Sequence, residues 1–172
     1  HARPTRSGLL LTELRASTTP AAIPPQIDLA ARNRVGVQWW AYTAGDPTTA
    51  GPGTEQALVD DPARPPQGTN VESAKLTLIA VPHPDRVAGT PSAYHHDRSR
   101  RVFTMTWTAQ RPDGSRAEES DETTVVVPAI SAPHGYDVQA SGAHVTSHPG
   151  DRVARLHLNQ GSATAKVTIT LR

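Results

Sequence analysis

Cysteine is absent from the 172 residues. That excludes disulfides, thiolate metal sites and cysteine nucleophiles together, and it leaves the redox compartment undecided. Aromatic residues make up only 4% of the chain, with three Trp, three Tyr and one Phe, so each tryptophan calls for its own account. Long apolar runs are missing too: stretches such as residues 8–11 fall far short of the roughly 20 residues a membrane-spanning helix needs. Neither sign of charge dominates, and a net charge of +1 gives no electrostatic footprint for nucleic acid or anionic lipid. No repeat recurs at solenoid periods. Methionine occurs once, as Met105, while the first residue is His1. The chain opens almost at once into an apolar strand, after a short basic lead over residues 1–7. It therefore reads as a piece of a larger protein.

What is present suits a globular protein: 36% hydrophobic and 19% charged residues set it apart from disordered chains. Residues 8–14, Gly-Leu-Leu-Leu-Thr-Glu-Leu, form a short continuous apolar run with an acid near its end. Such a run fits a strand buried on both faces, as in parallel sheets covered by helices. Ser17-Thr18-Thr19-Pro20 is a helix-start cluster, after which Ile27, Ala30 and Ala31 share one helical face. Pro25 fits the first turn of that helix, which ends at Asn33-Arg34. A second strand follows over residues 35–42, Val-Gly-Val-Gln-Trp-Trp-Ala-Tyr. Strand, helix and strand with short joints predict a parallel pair. Two parallel strands cannot bury their own faces.

Residues 43–69, rich in Gly, Pro, Thr and Asp, read as an ordered loop or linker. Asn70 is placed to cap a helix with Val71, Ala74, Leu78 and Val81 on one face, with a strand over 76–81 as the rival reading. From Val87 the texture changes. Short β-prone runs recur at 92–96, 102–108, 123–127, 136–140, 144–148, 153–158 and 163–171. Turn signals lie between them, including Pro112-Asp113-Gly114, Pro133-His134-Gly135 and Gln160-Gly161-Ser162. Ala154, Leu156 and Leu158 alternate with Val153, Arg155 and His157, and Val167, Ile169 and Leu171 alternate with polar partners. Evenly spaced alternating strands predict an antiparallel β-sandwich, with Trp107 in its core.

Taken one by one, the chemistry-bearing residues have plain readings. Glu13 alone is a solvated strand-end acid. Trp40 is a core residue or an exposed platform, and Trp39 a core residue. His95 and His96 are adjacent, so on a strand they point to opposite faces and cannot share a metal. No His-Glu-x-x-His spacing occurs, nor a Gly-x-Ser-x-Gly elbow for a serine nucleophile. Asp60-Asp61, Glu118-Glu119 and Asp121-Glu122 read as solvated loops.

The order of the motifs says more than any one of them. Leu9-Leu10-Leu11-Thr12-Glu13, then Asn33-Arg34-Val35-Gly36-Val37-Gln38-Trp39-Trp40-Ala41-Tyr42, then Gly45-Asp46-Pro47-Thr48-Thr49, resemble the end of the catalytic barrel in glycoside hydrolase family 5. Residues 58–66, Leu-Val-Asp-Asp-Pro-Ala-Arg-Pro-Pro, with Val87-Ala88-Gly89-Thr90-Pro91, resemble the junction to the C-terminal sandwich of its endoglycoceramidase-like members. Val127-Pro128, His134-Gly135-Tyr136 and Ser141-Gly142-Ala143 resemble that sandwich itself.

The resemblance implies an α/β barrel fragment, the last two βα units with a linker, over residues 1–82, followed by an all-β antiparallel sandwich over 83–172. The family cleaves glycosidic bonds with retention, using two glutamates at the C-terminal ends of barrel strands. Carried over, the nucleophile is Glu13, and Trp40, with Trp39 beside it, is the sugar-stacking aromatic. The acid/base glutamate belongs to a strand outside this sequence, so the chain alone is expected to be inactive. The pattern departs from the family at Leu14-Arg15, where Phe-Gly is usual, and at Val37, where a tryptophan is common. No metal or organic cofactor is implied, since carboxylates and shape suffice. The implied partner is a glycoside or glycolipid substrate, with peripheral contact to a lipid surface and a secreted or cell-surface location. The rival reading is a non-catalytic sandwich module carrying a degenerate barrel remnant.

Overall fold

In the computed structural model the described residues are 9–15, 20–43 and 57–172. The basic lead, the Ser17-Thr18-Thr19 cluster and the Gly45-Asp46-Pro47-Thr48-Thr49 motif lie outside them. The chain divides into two units, His1–Ala80 and Val81–Arg172.

In the first unit, β1 (Leu10–Arg15) and β2 (Gly36–Trp40) pair in parallel, joined by helix α1 (Ile23–Asn33). The helix starts at Ile23, earlier than the sequence suggests, because both Pro24 and Pro25 fit its first turn, where backbone N–H groups have no intrahelical acceptor. Ile23 and Ala30 are buried and Ile27 half-buried, one apolar face at helical spacing. The helix ends in a left-handed residue, Arg34 (φ 54°), with Val35 N–H donating to the Ala30 carbonyl at 3.0 Å.

Beyond β2, Val59 N–H donates to the Tyr42 carbonyl at 2.8 Å, and Val59 bridges both Thr43 and Val71. Asn70 does not cap a helix, contrary to the sequence reading. Its side chain instead accepts from Asp61 N–H at 2.8 Å and donates to the Asp61 and Pro65 carbonyls, pinning the loop 61–65. Helix α2 (Ser73–Ile79) wins over the rival strand, but its buried side chain is Lys75 and Ala74 is exposed.

The second unit is a β-sandwich of two antiparallel four-stranded sheets. One sheet has the order β4 (Thr90–Asp97), β5 (Val102–Thr108), β10 (Thr164–Leu171), β7 (Tyr136–Ser141). The other has β3 (His83–Arg86), β6 (Glu122–Val126), β9 (Val153–Leu158), β8 (Ala143–Val145). Inward positions alternate strictly: Phe103, Met105 and Trp107 from β5 and Ala165, Val167, Ile169 and Leu171 from β10 meet Val125, Ala154, Leu156 and Leu158 from the facing sheet in one core. Strand β3, His-Pro-Asp-Arg, has no apolar alternation to announce it. It is held from outside, by pairing with β6 and by the Thr124 and Thr123 hydroxyls, which accept from Arg86 and Ala88 N–H.

The turns are closed by short acids. Asp113 accepts from the Ser115 hydroxyl and N–H, and Asp97 from the Ser99 hydroxyl and Arg100 N–H; these bonds hold both carboxyls below the ordinary carboxylate range. The Tyr136 hydroxyl donates to the Asp151 carbonyl, and burial, then the Asp151 charge, raises its pKa. Arg172 pairs with Asp137, which raises the guanidinium further.

Candidate functional site

The first unit brings together the three residues singled out by the sequence. Because β1 and β2 run in parallel, their C-terminal ends lie side by side, and the register pairs Leu14 with Trp39 and Arg15 with Trp40. Between Leu11 and Leu14 the register shifts, so Glu13 lies in a bulge immediately before the Leu14–Trp39 pair. Bulges re-aim side chains and gather beside functional sites. Leu14 is buried while Glu13 is exposed, so the carboxylate is open to solvent and its neighbour anchors the strand. Trp39 and Trp40 are both half-buried, each leaving part of its ring accessible. The peptide bond between Trp40 and Ala41 is cis.

One further aromatic, Tyr42, is 59% exposed just past this strand end. The sequence signal for it was the run Trp-Trp-Ala-Tyr, in which the last ring falls beyond the strand. Leu9 and Leu10 are each 56% exposed and Leu11 42%. Consecutive exposed leucines at the start of a strand that, among the described residues, pairs on one side only are what an uncovered parallel sheet looks like.

Elsewhere the candidates keep their plain readings. Trp107 is 1% exposed and belongs to the sandwich core. His95 is exposed and His96 half-buried, on opposite faces of β4. Asp61 serves its own loop, and Asp121 pairs with Arg111 and accepts from Glu118 N–H at 2.7 Å. Among the described residues no group of three or more His, Asp or Glu gathers for a metal, and no helix is long and apolar enough to cross a membrane. Two depressions open on the second unit, one of about 520 Å³ beside Glu119 and Asn159 and one of about 310 Å³ beside Thr106 and Lys166.

The fold has solved counterparts. Endo-glycoceramidase II from Rhodococcus sp., as its lactosyl-enzyme intermediate, superposes with a TM-score of 0.62 at 23% identity over 96% of this chain and 33% of that one. Its ganglioside GM3 complex gives 0.63 at 22% identity, over 96% and 32%. Sterylglucosidase 1 from Cryptococcus neoformans, with hit 1, gives 0.60 at 14% identity, over 89% of this chain and 24% of that one. At these identities the likeness is one of fold. The chain spans about a third of the first protein's length and about a quarter of the second's. No curated protein matches the sequence. The sequence profile of the glycoside hydrolase family 5 C-terminal domain matches residues 82–171, the sandwich almost from end to end. With more than half of its length matched, the chain belongs to the glycoside hydrolase family 5 C-terminal domain family.

Proposed function

We propose that this chain is the C-terminal part of a retaining glycoside hydrolase of the endoglycoceramidase type, in which residues 1–82 supply the last two βα units of a (β/α)₈ barrel. Glu13 is the nucleophile that attacks the anomeric carbon, and Trp40, flanked by Trp39, is the platform for the sugar ring. The observation that carries this reading is the parallel register of β1 and β2, which sets the strand end bearing Glu13 beside Trp39. Active groups of barrel enzymes stand at such C-terminal strand ends. The exposed leucines of residues 9–11 support the barrel, since further strands and helices would cover them.

The chemistry needs a second carboxyl, roughly 5–5.5 Å from the first, to protonate the leaving oxygen and later to activate water. That group comes from elsewhere in the parent protein, so the chain alone does not turn over. Nothing in the reaction calls for a metal or an organic cofactor. The substrate is a glycoside whose aglycone is a lipid or another apolar group, and the parent works outside the cell or at its surface, in peripheral contact with lipid.

The test is release of sugar from a fluorescent glycosphingolipid by the longest obtainable chain and by its Glu13→Gln variant. Gln keeps the shape and removes the nucleophile, so the rate is expected to fall on the order of 10³-fold or more. Equal rates in both would remove Glu13 from the mechanism.

A further inference from the structure

The outer face of the β3–β6–β9–β8 sheet carries a row of titratable side chains that no part of the glycosidase reading uses. Register pairs Glu122 with His157 across β6 and β9, and His157 with His144 across β9 and β8. Direct cross-strand partners share a face. The two imidazoles stack, with ring centroids 5.9 Å apart and planes 23° from parallel.

Their hydrogen bonds fix the tautomers. Nδ1 of His157 lies 3.0 Å from the Glu119 backbone carbonyl, and Nδ1 of His144 lies 3.1 Å from the Asn159 side-chain oxygen. A carbonyl oxygen only accepts, so Nδ1 is the donor in both neutral rings and the lone pair of each is on Nε2. Histidine metal ligands in proteins are prepared in this way, with one nitrogen on the cation and the other held by an oxygen acceptor.

The spacing suits a shared cation. A Zn–N bond of about 2.0–2.1 Å puts an imidazole centroid roughly 3.2 Å from the metal, and a tetrahedral angle then separates two centroids by about 5.2 Å. The observed 5.9 Å is within about 1 Å of that value, and rotation about χ2, a broad and soft torsion in histidine, turns the stacked rings so that their Nε2 lone pairs meet on one cation.

We propose that His144 and His157 form a two-imidazole site for a divalent transition-metal cation of the Zn²⁺ type, its remaining positions filled by water. Imidazole nitrogen suits Zn²⁺, Cu²⁺ and Ni²⁺, whereas Ca²⁺ and Mg²⁺ take oxygen ligands. Glu122 lies next in the row, its carboxylate neutralised by Arg155 at 2.7 Å. The site has a structural consequence. Strand β8 is only three residues long and lies at the edge of its sheet, so a cation joining His144 to His157 ties that edge to β9. A ligand that binds only the folded state raises its stability.

The experiment uses the full chain carrying His1→Ala, because a terminal amine and its imidazole would chelate as well. Zn²⁺ is titrated by calorimetry, imidazole resonances are followed by NMR, and thermal unfolding is recorded with and without the metal. The expected result is one Zn²⁺ per chain, perturbation of the His144 and His157 resonances before any others, and a higher melting temperature with metal. Affinity falls about tenfold or more in His144→Gln and in His157→Gln, and is unchanged in His95→Gln. The proposal is overturned by unchanged affinity in both ligand variants, by first perturbation of other histidines, or by no binding at millimolar Zn²⁺. The NMR arm needs no variant to fold.

Discussion

Gly89 and Gly142 stand against the two halves of one register pair: Gly89 approaches the carbonyl of Thr108, Gly142 that of Thr164, and Thr108 faces Thr164 across β5 and β10. Each glycine lies where the chain leaves one sheet for the other, Gly89 between β3 and β4, Gly142 between β7 and β8. The sandwich is thus closed at one end by two backbone crossings over the same rung of the ladder.

Alanine at either crossing should be costly. A Cβ at Gly89 would lie 2.0 Å from the Thr108 oxygen, and one at Gly142 would lie 2.2 Å from the Thr164 oxygen, with φ of +111° and +69°. Backbone cannot move aside as a side chain can. Gly89→Ala and Gly142→Ala are each expected to lose about 2 kcal/mol or more in urea unfolding followed by circular dichroism. Gly161→Ala is the control: φ is +75° but nothing lies within 4 Å, so about 1 kcal/mol is expected. Equal losses at all three sites would refute the steric account.

Trp107 tests the core between the sheets. It is 1% exposed, and its indole N–H has no hydrogen-bond partner. Trp107→Ala should cost about 3–5 kcal/mol through the cavity it leaves. Trp107→Phe should cost clearly less, since it keeps a ring while removing a buried donor without an acceptor. Thermal unfolding of the two variants gives the order directly, and a Phe variant no more stable than the Ala variant would contradict the packing account.

The sandwich was legible in the sequence because its strands alternate. In β9 and β10 the alternating residues Ala154, Leu156 and Leu158 and Val167, Ile169 and Leu171 are all buried, and Trp107 of β5 with them. Strand β3 was not legible, since His83, Pro84, Asp85 and Arg86 carry no period and owe their conformation to β6. Asn70 misled for a related reason: its side chain can cap a helix or close a loop, and the carbonyls around residues 61–65 outcompeted α2 for it. Glu13 and the tryptophans could be read together because a βαβ unit dictates which strand ends meet. The His144–His157 pair could not be, because register alone creates it, and the adjacent His95-His96 attract attention that the geometry does not reward.

Tyr136 sets an alkaline limit on the second unit. Its hydroxyl donates to the Asp151 carbonyl, and burial with the nearby Asp151 charge raises its pKa above the ordinary phenol value. A folded-state pKa above the unfolded one gives stability that is complete below about pH 10 and is lost as pH rises through the folded value. Tyr136→Phe should therefore cost about 1 kcal/mol at neutral pH, through the lost hydrogen bond. It should also flatten the fall in stability above pH 10. Melting temperatures of both forms from pH 7 to 11 check both parts, and parallel curves would contradict the second.

Trp40 and Glu13 should separate in kinetics if the proposed roles hold. A stacking platform binds the sugar in the ground state as well as the transition state, so its loss raises KM more than it lowers kcat. In the longest active chain, Trp40→Ala is expected to raise KM roughly tenfold, about 1.4 kcal/mol of binding. Glu13→Gln should instead abolish turnover while leaving substrate binding nearly intact. A Trp40→Ala variant that loses kcat alone would make that ring a support for the reacting groups rather than a platform.

The leucines of β1 offer a test that needs no substrate. Leu9, Leu10 and Leu11 are 56%, 56% and 42% exposed, although an apolar run leading into a parallel strand is built for burial. An apolar strand left uncovered binds hydrophobic dyes and promotes association. The chain should therefore enhance anilinonaphthalene sulfonate fluorescence, and Leu10→Thr with Leu11→Thr should remove most of the enhancement. The melting temperature of the second unit should stay unchanged, because its core contains no residue of β1. In the complete parent the same two substitutions should act in the opposite sense. On the proposed barrel reading one leucine faces the barrel interior and the next the surrounding helices, and each substitution loses about 2 kcal/mol or more of buried packing. Destabilisation of the parent, set against relief in this chain, would mark these residues as the two covered faces of a barrel strand. Relief in both would mean that the leucines stay uncovered in the parent too.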